Sequence, residues 1–166
     1  IAEECKAWAA CGKGGRKDRN ICTSLFLQPE ELKVLNDRLQ AKYKQIEAAE
    51  ARWEEIECDD AEYVLVAFGS SARICSATGE AARAEGIKLG LLRPITLWPF
   101  PAKPLAEFAE RGVKGFLSVE LNAGQMVEDV RLAVNGKAQV EHFGTTGGMM
   151  VSPDDVLAEL KSKFVK

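Results

Sequence analysis

The spacing of apolar and polar residues repeats four times along the chain. Each repeat opens with an apolar run that is typical of a buried strand, breaks into a polar loop that contains Gly or Pro, and continues in a helical pattern. The repeats are YVLVAFGSSAR from Tyr63, LLRPITLWPFP from Leu91, FLSVELNAGQM from Phe116 and VEHFGTTGGMM from Val140. This alternation of strands and helices predicts an α/β fold.

The repeats predict an open, mostly parallel sheet with helices on both faces, and therefore three layers. A closing helix is expected from Pro153, with Ser152 as its N-cap. Parallel strands place their carboxyl ends at one edge of a sheet, where open α/β folds bind ligands or partners. We therefore expect the four polar loops to gather at that edge. The expected strands are 63–68, 87–92, 115–121 and 138–143.

A long helical pattern precedes the repeats and extends from Pro29 to Ile56. Proline in the first turn, with Glu30 and Glu31 at the positive end of the helix dipole, favours a helix start here. Two interpretations are open: the apolar seam of this helix contacts a partner or a second copy of the chain, or the helix packs across its own domain. The seam has one defect, Lys42, and consists of Leu32, Leu35, Leu39, Ile46, Ala49, Trp53 and Ile56.

These patterns divide the chain into three segments: an interdomain linker at 1–28, the long amphipathic helix at 29–58 and the α/β domain at 59–166. The linker contains a Gly- and Lys-rich stretch at 12–17 that lacks the full pattern of a phosphate-binding P-loop. Its first residues show no element that stands alone, and the chain begins at Ile1. We interpret the sequence as part of a longer polypeptide.

Composition narrows the classes of function. The net charge of −3, from 22 basic and 25 acidic residues, comes without a basic stripe that would follow a nucleic acid backbone. The apolar runs are shorter than the roughly 20 residues that span a bilayer, and no signal peptide opens the chain, so we expect a cytoplasmic protein without membrane contact. The cysteines are scattered and odd in number, which predicts reduced thiols rather than disulfides or metal ligands: Cys5, Cys11, Cys22, Cys58 and Cys75.

Candidate ligand or interface residues lie in the loops at the expected edge. The Gly69 loop has the position of a phosphate turn but lacks the G-x-G-x-x-G fingerprint, so helix capping explains it as well. The turn from Gly144 to Gly148 offers amides and hydroxyls to a ligand or neighbour, and is equally explained as a tight turn. The candidates are Gly69, Ser70, Ser71, Arg73, Arg93, Glu120, Asn122, Gln125, Gly144, Thr145, Thr146, Gly147 and Gly148.

Glu120 is the one carboxylate that ends a predicted strand at this edge. Beside Arg93 it either forms an ion pair that joins two loops or acts as a general base. We favour the ion pair, because the chain offers no obvious nucleophile. His142 is the single histidine, and with no clustered cysteines we expect no metal site and assign no catalytic residue.

Several of these motifs, in order, resemble the carboxy-terminal portion, core domain II, of the alpha subunit of 2-oxoacid:ferredoxin oxidoreductases. They are GSSAR, EGIKLGLLRPITLWPFP, VELNAGQM and the final glycine-rich turn, and the 2-oxoglutarate and 2-ketoisovalerate branch is most similar. The stretch GGRKDRNICTSLFLQPEELKVLNDRLQAKY resembles the family's linker to this domain. The region is more distantly similar to the carboxy-terminal domain of transketolase-like enzymes, although Val119 stands where their histidine would be.

The resemblance implies a transketolase C-terminal-domain-like fold in a multi-subunit enzyme of anaerobic metabolism. Such an enzyme decarboxylates a 2-oxo acid on thiamine diphosphate with Mg²⁺, passes electrons through 4Fe–4S clusters to ferredoxin, and transfers the acyl group to coenzyme A. The implied partners are a thiamine diphosphate-binding beta subunit, ferredoxin-like and gamma subunits, and ferredoxin. The chain itself is expected to be non-catalytic, to bind none of these cofactors and to make interdomain and subunit contacts.

Two alternatives remain open beside this interpretation. One is a stand-alone module that binds a nucleotide or coenzyme A at the same edge, and the other is an assembly element that acts through the helical seam.

Overall fold

The computed structural model describes residues 24–165. The chain divides into one unit that ends at Ala41 and a second that begins at Lys42. Most of the predicted linker lies outside the described residues, as do Cys5, Cys11, Cys22 and the Gly- and Lys-rich stretch 12–17. The division into linker, helix and domain therefore stays a prediction.

The described elements follow the predicted alternation of strands and helices. Their bounds are α1 Pro29–Glu50, β1 Trp53–Ile56, β2 Tyr63–Val66, α2 Gly69–Ala84, β3 Leu89–Pro94, α3 Ala102–Arg111, β4 Gly115–Glu120, α4 Met126–Val134, β5 Gln139–Gly144 and α5 Pro153–Phe164. The strands form one sheet in the order β1-β3-β2-β4-β5. Strands β3, β2, β4 and β5 are parallel, and β1 pairs with β3 in the antiparallel direction. The mostly parallel α/β sheet is confirmed.

The helices cover both faces of the sheet. On one face, α3 and α4 bury Leu105, Phe108 and Val130 in the same apolar cluster as Val64 and Phe116. On the other, α2 and α5 pack against the neighbouring strand residues, which point the opposite way because side chains alternate along a strand. That second cluster includes Leu65, Cys75, Leu117, Val156 and Leu160. The predicted three layers are therefore present.

Helix α1 is shorter than predicted. It ends at Glu50, and the residues expected to continue it form strand β1 instead. The 3,4 spacing puts Trp53 and Ile56 on one side of a helix, but in the strand Trp53 packs against the α3/α4 cluster and Ile56 against the α2/α5 cluster. The strand thus contributes to two cores and also pairs the free edge of β3. This tertiary gain overrides the local helical period.

None of the 22 residues of α1 is buried. Near its end, the ring of Tyr43 meets the ring of Trp98 edge-on, with centroids 5.8 Å apart. The part of the seam that lies on α1 therefore contains no buried residue, and its partner stays a prediction. Among the described residues, no helix is both long and apolar enough to cross a membrane.

Helix α5 closes the fold as predicted. The Ser152 hydroxyl accepts a hydrogen bond from the Asp155 backbone N–H at 3.1 Å, and the Asp155 carboxylate accepts one from the Ser152 N–H at 3.0 Å. These two bonds form a capping box, which satisfies two of the backbone donors at the helix start. The predicted N-cap is confirmed.

Candidate functional site

The carboxyl ends of the four parallel strands lie at one edge of the sheet, as expected. The predicted site residues do not form one site there. Gly69, Ser70, Arg73 and Arg93 line a cleft next to α2. A second set, Glu120, Asn122 and Gln125, lines a cavity between the loops that precede α3 and α4. A third set forms the end of β5 and the turn after it: Gly144, Thr145, Thr146, Gly147 and Gly148.

Glu120 is a buried carboxylate with every contact inside the fold. Its side chain is 1% exposed. Oε2 accepts hydrogen bonds from the backbone N–H groups of Gln125 at 3.1 Å and Met126 at 2.8 Å, and Oε1 accepts from Val127 N–H at 3.0 Å. The Ser118 hydroxyl donates to Oε1 at 3.0 Å. Glu120 therefore caps the start of helix α4 from the end of the preceding strand.

This capping determines the charge state of Glu120. Burial alone would raise the pKa of the carboxyl group, but the N–H groups of Met126, Gln125 and Val127 and the Ser118 hydroxyl outweigh it and hold the pKa below the usual value. Helix N-termini leave backbone donors without partners, and a carboxylate there is also favoured by the helix dipole. A low pKa and four occupied acceptor positions make Glu120 unsuited to act as a general base.

The loop between Glu120 and α4 brings the chain back to the carboxylate. The Asn122 side-chain oxygen accepts a hydrogen bond from the Gly124 N–H at 2.7 Å, which closes a tight Asx turn. Gly124 has a φ of +104°, a conformation that favours glycine. Asn122 therefore shapes the turn that aims the first amides of α4 at Glu120.

The predicted ion pair between Arg93 and Glu120 is wrong. Strand β2 lies between β3 and β4, so the two side chains end strands that are not neighbours. Arg93 Nε instead donates to Glu54 Oε2 at 2.6 Å, across the antiparallel pair of β1 and β3. The error came from equating order along the chain with order in the sheet.

The cleft beside α2 has a volume of about 520 Å³ and contains both arginines of the edge. Gly69 begins α2 with a φ of +58°. Arg93 is paired with Glu54, whereas Arg73 forms no hydrogen bond or ion pair with any other described residue. The cleft thus combines an unpaired guanidinium with the first residues of a helix, which together favour an anion.

The other cavity at the edge has a volume of about 200 Å³. The amides of Asn122 and Gln125 meet apolar side chains there, and two acidic residues, Glu120 and Asp129, lie at its wall. The apolar side chains are Phe68, Leu97, Phe100 and Met126. The mixture provides hydrogen-bonding groups without a nucleophile.

The glycine-rich turn after β5 owes part of its composition to packing. A Cβ atom on Gly144 would lie 2.4 Å from the Glu120 backbone oxygen and 2.7 Å from that of Asn122. Gly147 and Gly148 have φ values of +69° and +80°. Packing and turn conformation therefore account for these three glycines, and a ligand role for this turn stays a prediction.

His142 lies close to the capping carboxylate. Its Nε2 atom is 4.0 Å from Glu120 Oε1, which is beyond hydrogen-bonding distance. Nε2 is buried and has no hydrogen-bond partner among the described residues. The imidazole thus packs against the β4–α4 loop and donates nothing to the carboxylate.

Sequence reasoning missed the exposed apolar side chains of the same edge. Large apolar side chains project from the loops after β3, β4 and β5: Ile95, Leu97, Trp98, Leu121, Met149 and Met150. Two of them, Ile95 and Leu121, follow directly on strands that are themselves apolar, so periodicity alone did not separate them from core positions. The signal available in the sequence was an apolar run that continues past the end of the strand.

The described residues offer no metal-binding set of acidic, sulfur or imidazole groups. No three His, Cys, Asp or Glu side chains within 24–165 lie close enough together to hold a metal ion. Burial raises the pKa of the Cys58 thiol to about 11 and that of the Cys75 thiol to about 12. Both remain protonated at neutral pH, the state that does not bind metals.

Comparison with known proteins identifies the family. Residues 61–156 match the model of the pyruvate:ferredoxin oxidoreductase core domain II family. The chain is 46% identical over 155 residues to the ketoisovalerate oxidoreductase subunit VorB of Methanothermobacter thermautotrophicus, a match that covers 93% of this chain and 43% of that subunit. It is 35% identical over 102 residues to the 2-oxoglutarate synthase subunit KorA of Methanothermobacter marburgensis, covering 61% of this chain and 27% of that subunit.

Two solved structures share the fold. The 2-oxoglutarate:ferredoxin oxidoreductase from Magnetococcus marinus, solved with 2-oxoglutarate, coenzyme A and succinyl-CoA bound, superposes with a TM-score of 0.74 at 19% identity, covering 90% of this chain and 27% of that chain. A split-gene transketolase, an inactive β4 tetramer, superposes with a TM-score of 0.58 at 19% identity, and the match covers 67% of this chain and 40% of that chain. The expected transketolase C-terminal-like fold is confirmed.

These findings define a core domain of an oxidoreductase. The chain belongs to the pyruvate:ferredoxin oxidoreductase core domain II family, within the 2-oxoacid:ferredoxin oxidoreductases. It spans less than half the length of the relatives named here.

Proposed function

We propose that this chain is the non-catalytic core domain of a 2-oxoacid:ferredoxin oxidoreductase subunit that acts on a branched-chain 2-oxo acid such as 2-ketoisovalerate. The parent enzyme oxidatively decarboxylates the 2-oxo acid to an acyl-CoA and reduces ferredoxin. Greater identity to the ketoisovalerate subunit than to the 2-oxoglutarate subunit supports this choice of substrate. The domain contributes contacts with the rest of its polypeptide and with the other subunits.

The observation that carries the non-catalytic assignment is the capping role of Glu120. It is the carboxylate that ends a parallel strand at the functional edge, and both of its oxygens are occupied by donors of its own fold. A general base needs a free lone pair within reach of the proton that it abstracts. Glu120 instead maintains the shape of the β4–α4 loop.

The cofactors of the parent enzyme are assigned to other parts of the complex. Thiamine diphosphate requires Mg²⁺, and the described residues contain no cluster of ligands for this ion or for iron–sulfur clusters. Thiamine diphosphate would supply the carbanion chemistry of decarboxylation when bound. The residues of this chain then act by holding domains in position rather than by touching the reacting atoms.

The test uses the full-length polypeptide, co-produced with its partner subunits and loaded with cofactors. Coenzyme A-dependent reduction of a viologen dye is measured with pyruvate, 2-oxoglutarate and 2-ketoisovalerate. We expect the highest kcat/KM with 2-ketoisovalerate. Turnover that favours another acid contradicts the substrate assignment, and no turnover by the assembled complex contradicts the proposed activity.

A single substitution, Glu120→Gln, tests the non-catalytic assignment separately. Glu120→Gln is expected to lower thermal stability while kcat per assembled complex stays within about twofold of the parent, because the side chain does not contact the reaction. Glu128→Gln is the matched control, since this exposed carboxylate of α4 pairs with Arg131 on the same helix. A large loss of kcat in a stable, assembled Glu120→Gln complex refutes the assignment.

A second candidate function is the binding of coenzyme A or a nucleotide in the cleft beside α2. The unpaired Arg73 at the start of α2, in a cleft of about 520 Å³, supports it. Arg73 would hold a phosphate group there. We expect Arg73→Ala to raise the KM for coenzyme A several-fold with kcat unchanged, whereas Arg131→Ala, on α4, has no effect. An unchanged KM in both variants removes this candidate.

A further inference from the structure

The loops at the carboxyl edge of the sheet contain no charged residue. Charged residues make up 28% of the chain, yet none occurs in the four segments that follow the parallel strands. A solvated edge of this size would normally carry several of them. The segments are 67–72, 94–102, 121–127 and 144–153.

The opposite edge of the same sheet has the usual charged surface. The segments that lead into β2, β3, β4 and β5 contain both signs of charge: Glu57, Asp59, Asp60, Glu62, Glu85, Lys88, Lys114 and Lys137. Several of these form ion pairs, such as Lys114 with Glu62 and Lys137 with Glu110. The absence of charge is therefore a property of the loops at one edge and not of the domain.

The uncharged loops of this edge also carry most of the exposed apolar side chains of the domain, whereas the charged side chains at the edge, Arg73, Arg93 and Asp129, belong to α2, β3 and α4. Within residues 42–165, the large apolar side chains that remain exposed are those of the three loops, together with Leu132 and Tyr43. Tyr43 packs on Trp98 of the edge, so Leu132 alone lies away from it. Met149 is 66% exposed and Met150 is 56% exposed. We call this surface the edge patch, formed by Ile95, Leu97, Trp98, Leu121, Met149 and Met150.

This composition is that of the centre of a protein interface. Interface centres are depleted of charge and enriched in aromatic residues and Met, with hydrogen-bonding groups around them. Trp98, Met149 and Met150 supply the apolar part of the edge patch, and Asn122 and Thr146 supply uncharged hydrogen-bonding groups close by in the same loops. Exposed apolar side chains that gather on the loops of one edge of a sheet indicate a contact site.

We propose that the edge patch docks permanently on an uncharged, largely apolar surface of another domain of the same full-length polypeptide. This inference rests on the proposed function, in which the chain is one domain of a longer subunit. The relatives are more than twice as long as the part that matches this chain, so another domain is covalently available. A tethered domain is present at millimolar effective concentration, which keeps such a surface covered at all times.

The chemistry of the edge patch restricts its occupant. A charged group placed against its apolar side chains would be desolvated, at a penalty of several kcal/mol per ion. Permanent interfaces are also more apolar than transient ones, which suits a contact made once during folding. An exchangeable carrier that approaches by charge steering is therefore a poor fit.

The experiment follows methionine oxidation in the full-length polypeptide. The chain has three Met residues: Met149 and Met150 in the edge patch, and Met126, which is 5% exposed in the core. Dilute hydrogen peroxide converts accessible Met to the sulfoxide, and peptide mass spectrometry reports the rate at each position. Rates are compared for the polypeptide alone at two concentrations, for the assembled complex and for the urea-unfolded chain.

Protection in the polypeptide alone, at both concentrations, supports the proposal. We expect Met149 and Met150 to react at least about tenfold more slowly than in urea, as Met126 does, because interface centres pack as densely as protein interiors. Protection that grows with concentration identifies a second copy as the occupant and overturns the proposal. Protection only in the assembled complex identifies another subunit as the occupant and overturns the proposal. Rapid oxidation both in the polypeptide alone and in the assembled complex identifies a free surface and also overturns the proposal.

Variants separate docking from folding. Leu97→Asp introduces a charge into the edge patch at a half-exposed position and is expected to return Met150 to the rate of the unfolded chain while Met126 stays protected. Leu132→Asp makes the same change at an exposed site outside the edge patch and is expected to leave both rates unchanged. Oxidation rates do not depend on turnover, so the two proposals can fail separately. If the complex reduces the dye but Met149 and Met150 are not protected, only the docking is refuted. If these residues are protected but the complex shows no turnover, only the proposed function is refuted.

Discussion

Replacement of Glu120 by Gln is the sharpest test of the capping carboxylate. The new amide directs its oxygen most favourably at the N–H groups of Gln125 and Met126, where Oε2 now accepts. Its NH₂ group then faces the Ser118 hydroxyl and the Val127 N–H. The hydroxyl can turn and accept a hydrogen bond, whereas the Val127 N–H loses its partner.

The expected loss follows from these four contacts. A buried donor without a partner destabilises by about 1–3 kcal/mol. The two remaining backbone bonds lose their charge assistance, at roughly 0.5–1 kcal/mol each. The sum is about 3 kcal/mol, which corresponds to about a hundredfold change in a local opening equilibrium.

Hydrogen exchange of the full-length polypeptide, followed by mass spectrometry, measures this opening. In Glu120→Gln, the peptide that covers the start of α4 is expected to exchange about a hundredfold faster, while peptides from α2 are unchanged. Glu128→Gln, which changes an exposed carboxylate three residues into α4, is expected to stay within about 0.5 kcal/mol of the parent. Equal exchange in the parent and in Glu120→Gln refutes the capping role.

Further predictions concern the same fold. The pKa of Glu120 is lowered on folding, so its stabilisation is complete above about pH 4.3 and is lost as the pH falls toward the folded-state pKa; this acid dependence of the melting temperature is expected to weaken in Glu120→Gln. Gly144→Ala places a Cβ against two backbone oxygens and is expected to destabilise the protein by more than about 1 kcal/mol in thermal unfolding. Gly79→Ala, in open space on α2, is the control and is expected to stabilise by up to about 1 kcal/mol. Cys58 and Cys75 are expected to react with a thiol reagent only after unfolding; rapid reaction in the folded protein contradicts their burial.

The sequence predicted the parallel strands and their helices because each apolar run and each turn is a local signal. It did not predict strand β1, since Trp53 and Ile56 satisfy a helical period as well as a strand, and only the free edge of β3 decides between them. The Arg93 error has the same origin, because neighbours in a sheet are chosen by topology rather than by chain order.

The candidate residues were placed at the correct edge, but their roles depend on distances that no pattern contains. Glu120 was identified as a carboxylate at a strand end, whereas its function as a cap depends on the Asn122 turn that returns three amides to it. The exposed side chains of Trp98 and Met149 were missed because an apolar residue beyond a strand has the same sequence signature whether it is buried or exposed.

Strand β1 has a practical consequence for the expression of this domain. A truncated chain that begins at residue 59, the boundary that the sequence suggests, lacks Trp53–Ile56 and leaves the outer edge of β3, along 91–94, without a partner strand. Unpaired edges of apolar strands template the addition of further chains and promote aggregation. A truncated chain that begins before residue 51 retains the antiparallel strand β1. Its charged side chains, Glu54 and Glu55, then lie on the edge strand and oppose the addition of further chains.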